Sequence, residues 1–108
     1  MRSAALLAGA FGLVLAAATV VQAEPRTHVI EIGKMAFGPS PANVRVGDTV
    51  VWRNKDMFRH TATATSGGSF DVDLPAGGEG SAIMKAAGEV GYFCRFHPAM
   101  KAAFTVAP

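Results

Sequence analysis

The chain has 108 residues, with ten Lys or Arg against eight Asp or Glu, a formal charge of +2, three histidines and one cysteine. That length suits one compact domain and not two. The near-neutral balance argues against nucleic-acid binding, which needs a dense basic face, and a single cysteine excludes an internal disulfide.

Met1-Arg2-Ser3 is a short cationic start, followed by an uncharged apolar stretch from Leu6 to Leu15 that Ala16 to Val21 extends. Val21-Gln22-Ala23 then offers small or modest residues at the positions a signal peptidase reads. Residues 1–23 therefore read as a cleaved export signal and residues 24–108 as the mature domain, with Ala16-Ala17-Ala18 as an alternative cleavage point. The rival reading is a retained membrane anchor, since Ala4 to Val21 approaches the roughly 18 residues that span a bilayer. Gly9, Gly12 and the many alanines make such an anchor weakly hydrophobic, and no cysteine lies near the junction to carry a lipid. The expected location is the periplasm, with membrane contact only through the signal segment.

Beyond Glu24-Pro25, short apolar-polar alternations are bounded by glycine and proline. His28 to Ile32 reads as a first strand, and Gly38-Pro39-Ser40-Pro41 as a turn or irregular crossing. Val44 and Val46 alternate with Arg45, and Gly47-Asp48 turns into the β-branched run Thr49 to Arg53. Thr61, Thr63 and Thr65 alternate with alanine, as a strand requires, before Ser66-Gly67-Gly68-Ser69 breaks the run. Gly77-Gly78-Glu79-Gly80 reads as a flexible loop ahead of Ser81 to Lys85. Val90 to Cys94 and Lys101 to Val106 are the last two strands. Short strands at this spacing predict one all-β domain, an antiparallel sandwich or barrel.

Cys94 stands out chemically, because a lone thiol in an oxidising compartment is a liability unless something holds it. It opens Cys94-Arg95-Phe96-His97-Pro98-Ala99-Met100, a segment between two strands that Pro98 keeps from forming a regular helix. Thiolate, imidazole and thioether at three-residue steps form a soft donor set. With one more imidazole, it matches the His₂Cys site with weak axial Met of electron-transfer copper. Zinc also accepts Cys and His, but thioether is a poor zinc ligand. His60, at the mouth of the threonine-rich strand, is the expected fourth ligand. His28, inside the first strand, is left to a surface or structural role. Taken singly, each residue would read as ordinary packing; their spacing makes the case for His60, Cys94, His97 and Met100 as metal ligands.

Met35-Ala36-Phe37-Gly38-Pro39, Val44 through Asp56, and His60-Thr61 resemble the plastocyanin and amicyanin branch of the cupredoxins. The segment Tyr92 through Lys101 is similar to the short ligand loop of amicyanin, with two residues between His97 and Met100. The resemblance implies a cupredoxin-like Greek-key β-sandwich of eight strands with one type 1 copper ion at one end. By that likeness His60, Cys94 and His97 are equatorial ligands, Met100 is axial, and the Thr61 N–H hydrogen-bonds the Cys94 sulfur. Arg59 stands where the family often has proline, Ala87-Gly88 where it often has Pro-Gly, and Ala102 where glycine is common; none of these removes a ligand.

The expected function is one-electron transfer between redox partner proteins, such as a c-type cytochrome or a periplasmic dehydrogenase, docking near His97. Met57, Phe58, Phe96, Pro98 and Ala99 are the expected apolar patch, and an outward Phe93 a second contact. Arg53, Lys55, Arg59, Arg95 and Lys101 are expected to steer an acidic partner. The alternative is a copper carrier without redox turnover. Three histidines cannot build a multicopper oxidase, and no paired acids or activated serine suggest hydrolysis, so the chain is not expected to be an enzyme. It is expected to be a monomer.

Overall fold

Residues 9–17, 23–66 and 69–108 are described by the computed structural model. The apolar-polar alternation becomes nine strands: β1 (Thr27–Gly33), β2 (Ala36–Phe37), β3 (Val44–Arg45), β4 (Thr49–Asn54), β5 (His60–Ser66), β6 (Asp71–Leu74), β7 (Glu79–Ile83), β8 (Gly88–Phe93) and β9 (Lys101–Ala107). They form two sheets, β2-β1-β4-β7 and β3-β9-β8-β5-β6. There is no helix among the described residues, and none long and apolar enough to cross a membrane. The Greek-key sandwich expectation holds in architecture.

Three details differ from the expectation. The strands number nine rather than eight, and two of them, Ala36–Phe37 and Val44–Arg45, pair over only two residues each. The pairing is mixed rather than antiparallel, since β1 runs parallel to β4 and β3 parallel to β9. In each case the chain leaves the sheet before returning, so the strand re-enters in the same direction. Finally, β7 begins at Glu79, inside the segment expected to be a flexible loop. Gly80 lies opposite Trp52 in the β4–β7 ladder. A Cβ there would sit 2.4 Å from Val72 Cγ1. This glycine permits close approach of β6 to β7 instead of flexibility.

Inward positions fill the space between the sheets: Ile30 and Ile32 from β1, Val50 and Trp52 from β4, Val90 and Tyr92 from β8, and Phe104 and Val106 from β9. Tyr92 is the hub, with ring centroids 4.6 Å from Phe37, 5.5 Å from Trp52 and 5.8 Å from Phe104. Each fully buried side chain of this size contributes on the order of 1.5–3 kcal/mol by leaving water. Residues 9–17 form neither helix nor strand, and Phe11, Leu13, Val14 and Leu15 lie exposed. Residues 1–8 and 18–22 of the expected export signal, and the Gly67-Gly68 break, lie outside the described residues.

The topology brings the chemistry to one pole. The ends of β1 and β4 lie side by side in parallel register, Ile32 opposite Asn54. The start of β5 and the end of β8 meet antiparallel, Thr63 opposite Phe93. The loops 55–59 and 94–100 therefore face each other at the same end of the sandwich. At the opposite end Asp48 accepts hydrogen bonds from the Arg26 and Arg45 amides at 2.9 and 3.0 Å and pairs with His28 Nε2 at 2.8 Å. His28, left to a surface or structural role, pairs with Asp48 at this end.

Candidate metal centre

Cys94 follows the last residue of β8, and its burial continues the inward phase of Val90 and Tyr92. Strand periodicity alone thus carries the thiol into the end of the core. The chain then makes two successive turns, His97 N–H to Cys94 O at 3.3 Å and Met100 N–H to His97 O at 2.8 Å. A turn that closes in three residues brings positions i and i+3 to one side. This is the physical content of the three-residue spacing of Cys94, His97 and Met100. The Cys94 amide donates to Met100 O at 3.1 Å, closing the loop at the entry to β9. Met100 is buried within the core cluster.

His60 opens β5 and is fully buried. Its Nδ1 lies 3.7 Å from Cys94 Sγ, and His97 Nδ1 lies at the same 3.7 Å. One ligand atom from each of His60, Cys94 and His97 falls within a 4.8 Å cluster. The two imidazole rings meet edge-on, with centroids 5.1 Å apart. His97 is half-buried and reaches the surface, whereas His60 and Cys94 do not. His28 stands apart from this group. Two imidazole nitrogens converging on a buried thiol, beside a buried thioether residue, form a donor set fitted to one copper ion.

The surroundings fix this set. The Thr61 amide lies 3.4 Å from Cys94 Sγ in hydrogen-bond geometry. Thr61 Oγ1 accepts the Arg95 amide at 2.9 Å and contacts Thr63 Oγ1 at 2.9 Å, while Thr63 donates to Asp71 at 2.7 Å. A ladder of hydroxyls thus ties β5 to the ligand loop. Arg95 Nε reaches Asp71 at 3.1 Å, and Arg59 pairs bidentately with Asp73 at 2.9 and 2.6 Å. Both guanidinium groups lie over the Phe96 ring, at 5.5 and 5.8 Å from its centroid. Hydrogen bonds from Thr63 and then Arg95 hold the Asp71 carboxyl below the usual range; Arg59 does the same for Asp73.

Three of the five cations expected to steer a partner are paired with acids in the structure. Arg59 and Arg95 are matched by Asp73 and Asp71, and Arg53 sits opposite Glu79 at 3.1 Å. Of the five cations expected to steer a partner, Lys55 and Lys101 are left without an acidic contact among the described residues. The acids come from β6 and β7, which no local pattern links to the ligand loop. The apolar patch is exposed as expected, at 83% for Met57, 54% for Phe58 and 49% for Phe96, with Pro98 and Ala99 also exposed. Phe93 is half-buried between buried Tyr92 and Cys94, in keeping with an outward alternation.

Two residues important to the site escaped the sequence reading. Asn54 is buried, and its Nδ2 donates to the carbonyls of Phe58, Leu74 and Pro75 at 2.7, 3.0 and 3.2 Å. Asp56 lies 2.8 Å from His60 Nε2. That hydrogen bond holds the Asp56 carboxyl below the usual range, against the opposing effect of burial. The one sequence signal was an Asn-x-Asp run closing the Trp52 strand, four residues before His60.

No family model and no curated protein matches the chain. Solved structures do. A reduced amicyanin with a proline-to-phenylalanine substitution aligns at 29% identity and TM-score 0.62, over 74% of this chain and 81% of that one. A reduced tryptophan-to-tyrosine variant of amicyanin aligns at 27% identity and TM-score 0.65, over the same shares of 74% and 81%. A proline-to-glycine variant in its reduced Cu(I) form at pH 4 aligns at 28% identity and TM-score 0.65, again over 74% and 81%.

Proposed function

We propose that this chain, which is a cupredoxin of the amicyanin type, carries single electrons between redox partner proteins in the periplasm. In this reading His60, Cys94, His97 and Met100 would together hold one copper ion. The observation that carries it is the approach of two imidazole Nδ1 atoms to one buried thiol, each at 3.7 Å. Copper bound there supplies a Cu(II)/Cu(I) couple. The protein's part is to keep the donors in one arrangement in both oxidation states. The paired turns of the 94–100 loop and the Thr61–Thr63–Asp71 ladder support that rigidity. The Thr61 amide, aimed at the Cys94 sulfur, draws off thiolate charge and raises the potential.

Electrons would leave through His97, the one of the three clustered donors that reaches the surface. Met57, Phe58, Phe96, Pro98 and Ala99 offer a partner a small apolar contact around it. Weak redox encounters use interfaces of that size. Export rests on residues 1–23 acting as a cleaved signal, with residues 24–108 as the working domain. The exposed Phe11, Leu13, Val14 and Leu15 are compatible with a segment that does not pack on the sandwich.

The test is a visible absorption spectrum of residues 24–108 with one equivalent of Cu(II), repeated after adding ascorbate. An intense blue thiolate-to-copper band that bleaches on reduction and returns on oxidation is expected, and Cys94→Ser abolishes it. A folded, copper-loaded sample with reduced Cys94 and no such band would refute the blue-copper assignment. Fast copper exchange with slow electron exchange would instead favour a carrier that hands on the metal.

A further inference from the structure

The turn joining β1 to β2 holds two consecutive non-glycine residues in the left-handed region, Lys34 at φ 51° and Met35 at φ 60°. Side chains disfavour that region, and two-residue hairpins that use it favour Asn-Gly. What offsets the strain comes from another loop. Asp56 Oδ1 accepts the Lys34 amide at 2.8 Å, and Oδ2 accepts the Met35 amide at 3.0 Å.

The same Oδ2 lies 2.8 Å from His60 Nε2. The His60 side chain is fully buried and that of Asp56 is 13% exposed. The Asp56 amide in turn donates to Asn54 Oδ1 at 2.9 Å. The carboxylate is therefore held on both sides, and its free geometry is spent on the ring of His60. An imidazole that donates from Nε2 to a carboxylate presents an unprotonated Nδ1. In this structure Nδ1 is the atom that faces Cys94 Sγ.

We infer that Asp56 is a positioning residue of the metal site: it fixes the Nε2–H tautomer of His60, orients its Nδ1, and sets a negative charge behind the ring that favours Cu(II) over Cu(I). The electronic half of this rests on His60 being a copper ligand; the tautomer half does not. The competing role is a turn clamp alone, serving Lys34 and Met35.

A background of Lys34→Asn with Met35→Gly separates the two, because an Asn-Gly turn is at ease in this conformation without the clamp. In that background Asp56→Asn and Asp56→Glu are compared with the parent. The first readout is imidazole ¹⁵N NMR of the metal-free protein, where Asp56→Asn is expected to lower the population of His60 Nε2–H and Asp56→Glu to restore it. The second is the reduction potential of the copper-loaded protein. Loss of the charge is expected to shift the ratio of Cu(II) to Cu(I) affinity about tenfold toward Cu(I), a rise of ~59 mV for one electron. That is the low end of what second-sphere partners contribute to metal affinity. Unchanged tautomer and potential in Asp56→Asn would overturn the inference and leave Asp56 a turn clamp. A parent protein that shows no blue band refutes the blue-copper reading, while the metal-free NMR still decides whether Asp56 sets the His60 tautomer.

Discussion

Asn54→Ala should cost far more than one polar side chain usually does. The amide of Asn54 carries two N–H donors shared among three carbonyls, and its oxygen accepts the Asp56 amide. That amounts to about three effective hydrogen bonds, each worth roughly 1 kcal/mol net. Asn54 is 1% exposed, so water cannot replace all of them. The expected loss is about 3 kcal/mol. At about 4–8 °C per kcal/mol for a domain of this size, the melting temperature falls by ~12–24 °C. The loss is also directed, because the bonds span loop 55–59, which leads into His60, and the end of β6. Copper(II) affinity should therefore drop with stability. Urea unfolding of the metal-free domain measures the first, provided the slope m is unchanged; competition with a chelator measures the second. Asn54→Asp is the sharper variant, since it sets a carboxylate facing three carbonyl oxygens. Its folded form favours the neutral acid, so its stability should recover as pH falls below neutrality. A loss below about 1 kcal/mol in Asn54→Ala would refute the view that these bonds organise the pole.

Other outcomes follow from the same contacts. Gly80→Ala should destabilise by about 1–3 kcal/mol, because the added Cβ would meet Val72 Cγ1 at 2.4 Å; thermal unfolding checks it. The Asp48 carboxyl is lowered from 3.8 to about 2, first by the Arg26 amide, then by His28 and the Arg45 amide. Its contribution is fully present above pH 3.8 and is lost as pH falls through about 2. Asp48→Asn should therefore lose that part of the acid-unfolding slope, read as the difference in urea midpoint between the two proteins across this range. Removal of Cu(I) by a chelator should lower the melting temperature, since ligand at 100 times its Kd stabilises by about 2.7 kcal/mol. Association with an acidic redox partner should slow when Lys55 and Lys101 are both changed to Gln; stopped-flow rates at two salt concentrations test this.

The donor residues were legible because their chemistry is local. Cys94, His97 and Met100 lie on one loop, and a turn that closes in three residues needs no distant information to bring them together. Strand alternation likewise identified β1, β4, β8 and β9, whose inward residues are large and regularly spaced, and β5 through its threonine-alanine alternation. Short-range signals failed where a contact came from elsewhere in the chain. Gly80 read as a loop residue because its reason for being glycine is Val72 on a neighbouring strand. The parallel pairing of β1 with β4 depends on a crossover that no pattern within either strand encodes.

Charge shows the same division most clearly. Sequence alone determined that Arg53, Arg59 and Arg95 flank the ligand loops, that one thiol has no disulfide partner, and that His60 is the better-placed second imidazole. Only the tertiary structure decided that Glu79, Asp73 and Asp71 neutralise those arginines and that Asp56 lies against His60. The physical reason is range. A strand's periodicity and a turn's hydrogen bonds act over a few residues, whereas an ion pair or a carboxylate behind an imidazole depends on which strands become neighbours in space.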